Sequence, residues 1–135
     1  MLYLFVRSRM KTRIFKTREF NRWAIKEGLP DSTLISAVTE METGLVDANL
    51  GGFVYKKRVP LQSRGKRGGA RTLVAFKTDD KAFFIYGFAK NKRSNVLPVE
   101  LKALKLLATQ LLSYTDTELT IAINKKELIE IYKHE

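Results

Sequence analysis

The chain of 135 residues has no cysteine and only one histidine. Without cysteine there are no disulfides and no thiolate chemistry, which fits a reducing compartment; a cytoplasmic location is the expectation. The single histidine, His134, is the penultimate residue. Zinc sites built on His or Cys are therefore excluded, as is a buried Ser-His-Asp triad. Any catalysis must run on Lys, Arg, Tyr, Asp or Glu, and neither a metal nor a cofactor is expected. Acids are also scarce: 14 Asp and Glu face 25 Lys and Arg, giving a net charge of +11 and a pI near 10.0. Long apolar runs are missing too. Met1-Leu-Tyr-Leu-Phe-Val6 stops at Arg7, too short to span a bilayer or form a signal-peptide core. With no membrane partner expected, the polyanion to consider is nucleic acid.

What remains is ordinary for a globular protein. Hydrophobic residues make up 44% and charged residues 29%, enough for one domain over residues 1–135 with a modest core. The charge is not spread evenly. Residues 51–95 hold twelve of the 25 Lys and Arg against two acids, Asp79 and Asp80, so nearly all of the net positive charge sits there. Basic residues on exposed strands also serve as solvated faces and guard sheet edges. Concentration on this scale, threaded through strand-like apolar runs, favours phosphate binding.

Along the chain, a strand is expected around Arg13–Lys16. Met10 is a plausible alternative start, which would make residues 1–9 an N-terminal appendage. Thr17 suits an N-cap and Gly28 a helix stop, with Phe20, Trp23 and Ala24 at helical spacing between them. After Pro30, Asp31 is expected to cap a second helix with Leu34, Val38 and Met41 on its apolar side, ended by Gly44. Its acids Glu40 and Glu42 read as surface charge turned away from the polyanion. Residues 45–50 read as a loop, and Gly51-Gly52 opens a strand ended by Pro60. Period two places Val54, Lys56 and Arg58 on one face of that strand and Phe53, Tyr55, Lys57 and Val59 on the other. Residues 61–70 form a glycine-rich basic loop carrying Arg64, Lys66 and Arg67. Arg71–Phe76, the turn Lys77–Asp80 and Lys81–Phe88 make an antiparallel hairpin. Beyond the basic turn Lys90–Asn95, the period becomes helical. Pro98 suits a first turn, and Leu101, Leu104, Ala108, Leu111 and Leu112 form the stripe. Thr115 or Asp116 caps another helix, and Glu127–Tyr132 reads equally as an edge strand or a last helical turn. The order strand, two helices, three antiparallel strands, then a helical region over residues 98–135 describes a compact α+β domain.

Cleavage of RNA by its own 2′-hydroxyl needs a group to take the attacking oxygen's proton, cations to stabilise the phosphorane, and a proton for the leaving 5′-oxygen. A lysine beside other cations can act as base, and Lys56 has Lys57 and Arg58 as neighbours. Arginine holds the equatorial oxygens bidentately. Composition alone does not separate such a cluster from one that only binds.

At these residues the sequence resembles a known family. Tyr55-Lys-Lys-Arg-Val59, Gly68-Gly-Ala-Arg-Thr-Leu-Val-Ala-Phe76 and Phe84-Ile-Tyr-Gly-Phe-Ala-Lys-Asn-Lys-Arg93 are similar, in this order, to segments of the RelE toxins of bacterial type II toxin–antitoxin systems. The likeness covers about residues 11–112. It implies a RelE-like fold and a metal-independent mRNA interferase, typically working on the ribosome, with a cognate antitoxin, often of helix-turn-helix type, that masks the site. It also implies roles. Lys56 and Arg58 match the basic pair of the central strand, Arg71 the transition-state arginine, and Lys90 and Arg93 the basic turn after the last strand. Lys56, Arg58, Arg71 and Arg93 are thus the catalytic candidates. Lys57, Arg64, Lys66, Arg67, Tyr86, Lys90 and Lys92 are the candidates for holding nucleic acid. Asn91 and Leu97 stand where the best-known members carry an Arg and a catalytic Tyr. Tyr86 takes over that part if its face points to the groove, although an aromatic in this strand reads first as core. Two other readings stay open: a gyrase-inhibiting toxin of the same fold, and a non-catalytic nucleic-acid-binding module.

Overall fold

The computed structural model describes residues 11–61, 69–93 and 95–133. The expected N-terminal appendage, Arg64, Lys66, Arg67 and His134 lie outside the described residues. The chain forms β1 (Arg13–Thr17), α1 (Arg18–Glu27), α2 (Asp31–Glu42), β2 (Ala48–Asn49), β3 (Val54–Val59), β4 (Ala70–Lys77), β5 (Lys81–Ala89), α3 (Pro98–Leu112), α4 (Asp116–Asn124) and β6 (Leu128–Ile131). The strands make one six-stranded sheet in the order β2-β3-β4-β5-β1-β6. All neighbours are antiparallel except β1 and β5. This is the expected α+β fold, with helices on both faces of the sheet.

Helix boundaries follow local chemistry. The Thr17 hydroxyl accepts from the Phe20 amide at 3.1 Å, and Gly28 closes α1 in the left-handed region at φ 72°, where a Cβ is disfavoured. At α4, Thr115 and Glu118 cap each other reciprocally, each satisfying an amide the helix start leaves open. Asp31 departs from expectation. Pro30 occupies the cap position of α2, and the Asp31 carboxylate instead accepts from the Lys16 ammonium at 2.8 Å. The partner comes from β1, fifteen residues and one helix earlier, which local spacing does not reveal.

Two apolar layers sandwich the sheet. On one face α1 and α2 bury Phe20, Ala24, Leu34, Val38 and Met41 against Ile14, Val59, Val74 and Phe84. On the other, α3 and α4 bury Ala108, Leu111, Leu119 and Ala122 against Phe15, Val54, Leu73, Ala75 and Phe83. Phe15 and Phe83, opposite each other across the parallel pair, stack at 4.8 Å. The C-terminal segment resolves as a strand. β6 pairs with β1, and Arg13 grips Glu130 through two hydrogen bonds of 2.9 and 2.8 Å. Residues 45–50, read as a loop, contain the two-residue strand β2, which pairs Ala48 with Lys56 and Asn49 with Tyr55.

Candidate nucleic-acid interface

Ladder partners share a sheet face, so the register fixes which cations meet. One row runs Lys56, Leu73, Tyr86 across β3, β4 and β5; the next runs Arg58, Arg71, Phe88. Leu73 and Tyr86 belong to the α3 face, so Lys56, Arg58 and Arg71 stand on that face as well. They occupy its end away from the Val54–Ala75–Phe83 row that α3 and α4 cover. The period-two reading of β3 therefore holds. Lys56 and Arg71 are half-buried and Arg58 is exposed, and among the described residues none of the three is joined to an acid. Gly69 lies beside this end, where a Cβ would come 3.9 Å from the Arg58 Cγ.

Arg58 and Arg71 sit directly opposite each other. Like charges at such a position are destabilising in an empty sheet. An anion bound between them would offset that repulsion, since a guanidinium fork suits phosphate oxygens. Lys90, Asn91 and Lys92 are exposed on the turn that follows β5. That turn is closed by Lys92 and Arg93 amides donating to the Ala89 carbonyl, and the Lys90 amide donates to the carbonyl of Gly69, the residue before β4.

Lys57 does not belong to this surface. Its side chain points to the opposite face, is almost fully buried, and bonds the Glu40 carboxylate at 2.6 Å and the Leu45 carbonyl at 3.0 Å. Two amphipathic features explain the difference: the lysine stem fits an apolar face, and α2 brings a carboxylate to its tip. Glu40 and Glu42 accordingly do more than solvate a helix, since Glu42 also accepts from the Thr12 hydroxyl.

A β-bulge decides the position of Tyr86. Leu73 pairs with Tyr86 and Val74 with Phe84, so Ile85 has no partner in the ladder. The extra residue shifts the alternation, and Ile85 and Tyr86 both contribute to the α3 layer. The Tyr86 ring lies 6.1 Å from Phe88 and its oxygen accepts from Arg93 Nη1 at 2.8 Å.

Arg93 is not free. Glu100, in the first turn of α3, binds it at 2.7 and 3.2 Å, and its Nε donates to the Asn95 carbonyl. The bound Glu100 carboxylate holds Arg93 above its ordinary range. In return Arg93, helped by the Leu97 amide, holds the Glu100 carboxyl below the usual carboxylate range. Glu100 was not among the sequence candidates. Its signal was available in Leu97-Pro-Val-Glu100, an acid three residues past a helix cap, placed to accept from the cap amide. Leu97 itself is exposed and aliphatic.

Among the described residues no helix is long and apolar enough to cross a membrane. No curated protein matches the chain significantly. The family model described as the RelE toxin of the RelE / RelB toxin-antitoxin system matches residues 12–131. That span runs from β1 through β6 and includes Lys56, Arg58 and Arg71, and with it the chain belongs to the RelE toxin family of toxin–antitoxin systems.

Proposed function

We propose that this toxin is an endoribonuclease that cuts mRNA, engaged on the ribosome, by attack of the RNA's own 2′-hydroxyl. The observation that carries the reading is the Arg58–Arg71 pair, opposed across the ladder, flanked by Lys56 and joined to no acid among the described residues. In this reading Lys56 takes the 2′-hydroxyl proton. Arg58 and Arg71 hold the non-bridging oxygens as the phosphorane gains charge. These groups can stabilise the added charge without a metal. Lys90 and Lys92 hold the flanking backbone, and Arg93 borders the groove. A RelB-type antitoxin, expected to be of helix-turn-helix type, neutralises the toxin by covering this surface.

The test is inducible expression of the wild type beside Arg71→Ala, with growth followed and mRNA 5′ ends mapped. Growth arrest with new in-frame 5′ ends, both lost in Arg71→Ala, is the expected result. Arrest with full-length mRNA and accumulated DNA breaks, or no arrest at all, overturns it.

A further inference from the structure

The hydroxyl of Tyr86 has a defined job available to it. We propose that Tyr86 protonates the leaving 5′-oxygen during RNA cleavage and that Arg93 and Glu100 are the residues that position it, an inference resting on the ribonuclease reading above. Cleavage through a 2′-oxygen needs a proton donor on the far side of the phosphorus from the base. Arg58 and Arg71 do not give up a proton near neutral pH, Lys56 is committed to the attacking oxygen, and Asn91 and Leu97 have no acid to offer.

Tyr86 meets the geometric requirements. The bulge at Ile85 turns it onto the face of Lys56 and Arg71. Lys56 and Tyr86 flank Leu73 in one row, which at the usual strand spacing separates their Cα atoms by about 10 Å. Two long side chains on the same face at that separation reach opposite sides of a single phosphodiester. The phenol oxygen already accepts from Arg93. Arginine is only a donor, so the phenol's one proton is directed elsewhere, and the guanidinium is in place to stabilise the charge the oxygen acquires on losing it. Glu100 holds that guanidinium through two bonds while itself anchored on the Leu97 amide at the start of α3. The phenol therefore does not depend on a mobile side chain for its orientation.

The step balances. The 2′-oxygen forms a bond to phosphorus as its proton passes to the Lys56 amine. The bond from phosphorus to the 5′-oxygen breaks, and that oxygen takes the Tyr86 proton. The products are a 2′,3′-cyclic phosphate and a 5′-hydroxyl, with Lys56 as ammonium and Tyr86 as phenolate until solvent exchange restores them.

The test uses the full-length chain, ribosomes programmed with mRNA, and two substrates: ordinary RNA and RNA with a bridging 5′-sulfur at the cut site. A thiolate leaves without needing a proton. Tyr86→Phe is expected to slow the ordinary substrate by about 100-fold or more and to cut the 5′-thio substrate at close to the wild-type rate. Glu100→Gln should slow the ordinary substrate less, be rescued the same way, and have no further effect in a Tyr86→Phe background. Matching melting curves confirm that the variants fold. If the wild type cuts and Tyr86→Phe cuts ordinary RNA equally well, or is slowed equally on both substrates, Tyr86 is not the acid. If the wild type cuts neither substrate, the ribonuclease reading itself fails, and the assignment of Tyr86 fails with it.

Discussion

Gly87 of β5 lies directly beneath the indole of Trp23 in α1. A Cβ at Gly87 would fall 2.6 Å from the Trp23 Cε3 and 2.7 Å from Cη2, inside the ring's van der Waals surface. The glycine is what lets the aromatic side of α1 close on the sheet, next to Tyr86 in the strand. Gly87→Ala must move the ring or the strand, and overpacking of this kind costs about 1–3 kcal/mol. The chain has a single tryptophan, so its emission reports the displacement directly. Lowered thermal stability together with altered Trp23 emission is expected; a variant identical to the wild type in both would show that the contact imposes no constraint.

Lys57 is a structural residue inside a cationic stretch. Removing Glu40 leaves its ammonium on a buried face with the Leu45 carbonyl alone. Breaking a fully buried pair costs about 3–5 kcal/mol. The Glu40 side chain is half exposed, and solvent screening reduces the expected loss for Glu40→Ala to about 1–2 kcal/mol. Lys57→Met, which keeps the stem and removes the charge, should change stability by less than about 1 kcal/mol and leave RNA affinity unaltered. Urea unfolding and RNA-binding titrations check both parts. A clear fall in RNA affinity for Lys57→Met would return the residue to the groove.

These two sites show what the sequence could and could not disclose. The faces of Val54–Val59 were legible because the strand is regular, so period two carries straight into three dimensions. The caps at Thr17 and Gly28 were legible because each is a local hydrogen-bonding problem solved by local residues. Lys57 was misplaced because its partner arrives on α2, and alternation gives a face without saying whether that face is wet. The side of the sheet taken by Tyr86 was hidden for another reason. The bulge at Ile85 is a mismatch between two strands, and neither strand records it alone. The tail stayed ambiguous because Leu128, Ile129 and Ile131 suit both a strand and a helical turn; pairing with β1 decides it.

The salt dependence of RNA binding should separate the cations that have no acid partner among the described residues from the one that has. Each phosphate contact to a single strand contributes about 0.7 to the slope of log affinity against log salt. With a non-cleavable 2′-deoxy-substituted oligonucleotide, Lys56→Ala, Arg58→Ala and Arg71→Ala are each expected to lower the slope by about that amount. Arg93→Ala should change it less, because Glu100 already neutralises that guanidinium. Equal slopes for all four variants would mean that the register does not gather Lys56, Arg58 and Arg71 around one strand of phosphates.

The Arg93–Glu100 clamp carries its own pH signature. The Glu100 carboxyl is held below the usual carboxylate range chiefly by Arg93 and then by the Leu97 amide. A carboxyl depressed in the folded state stabilises that state above its unfolded pKa, and the contribution disappears as pH falls through the folded value. The clamp is therefore complete at neutral pH and is lost only in acid, below the ordinary glutamate range. Carbon-13 NMR of the Glu100 carboxyl should give a midpoint under that range, and the Tyr86 ring resonances should shift with the same midpoint, since Arg93 links the two. Glu100→Gln should abolish the Tyr86 shift. A Glu100 midpoint at or above the ordinary range would show that Arg93 is not bound to it in solution. Because the clamp does not titrate near neutrality, any change of cleavage rate with pH there belongs to the groups that exchange protons with RNA, not to the pair that positions one of them.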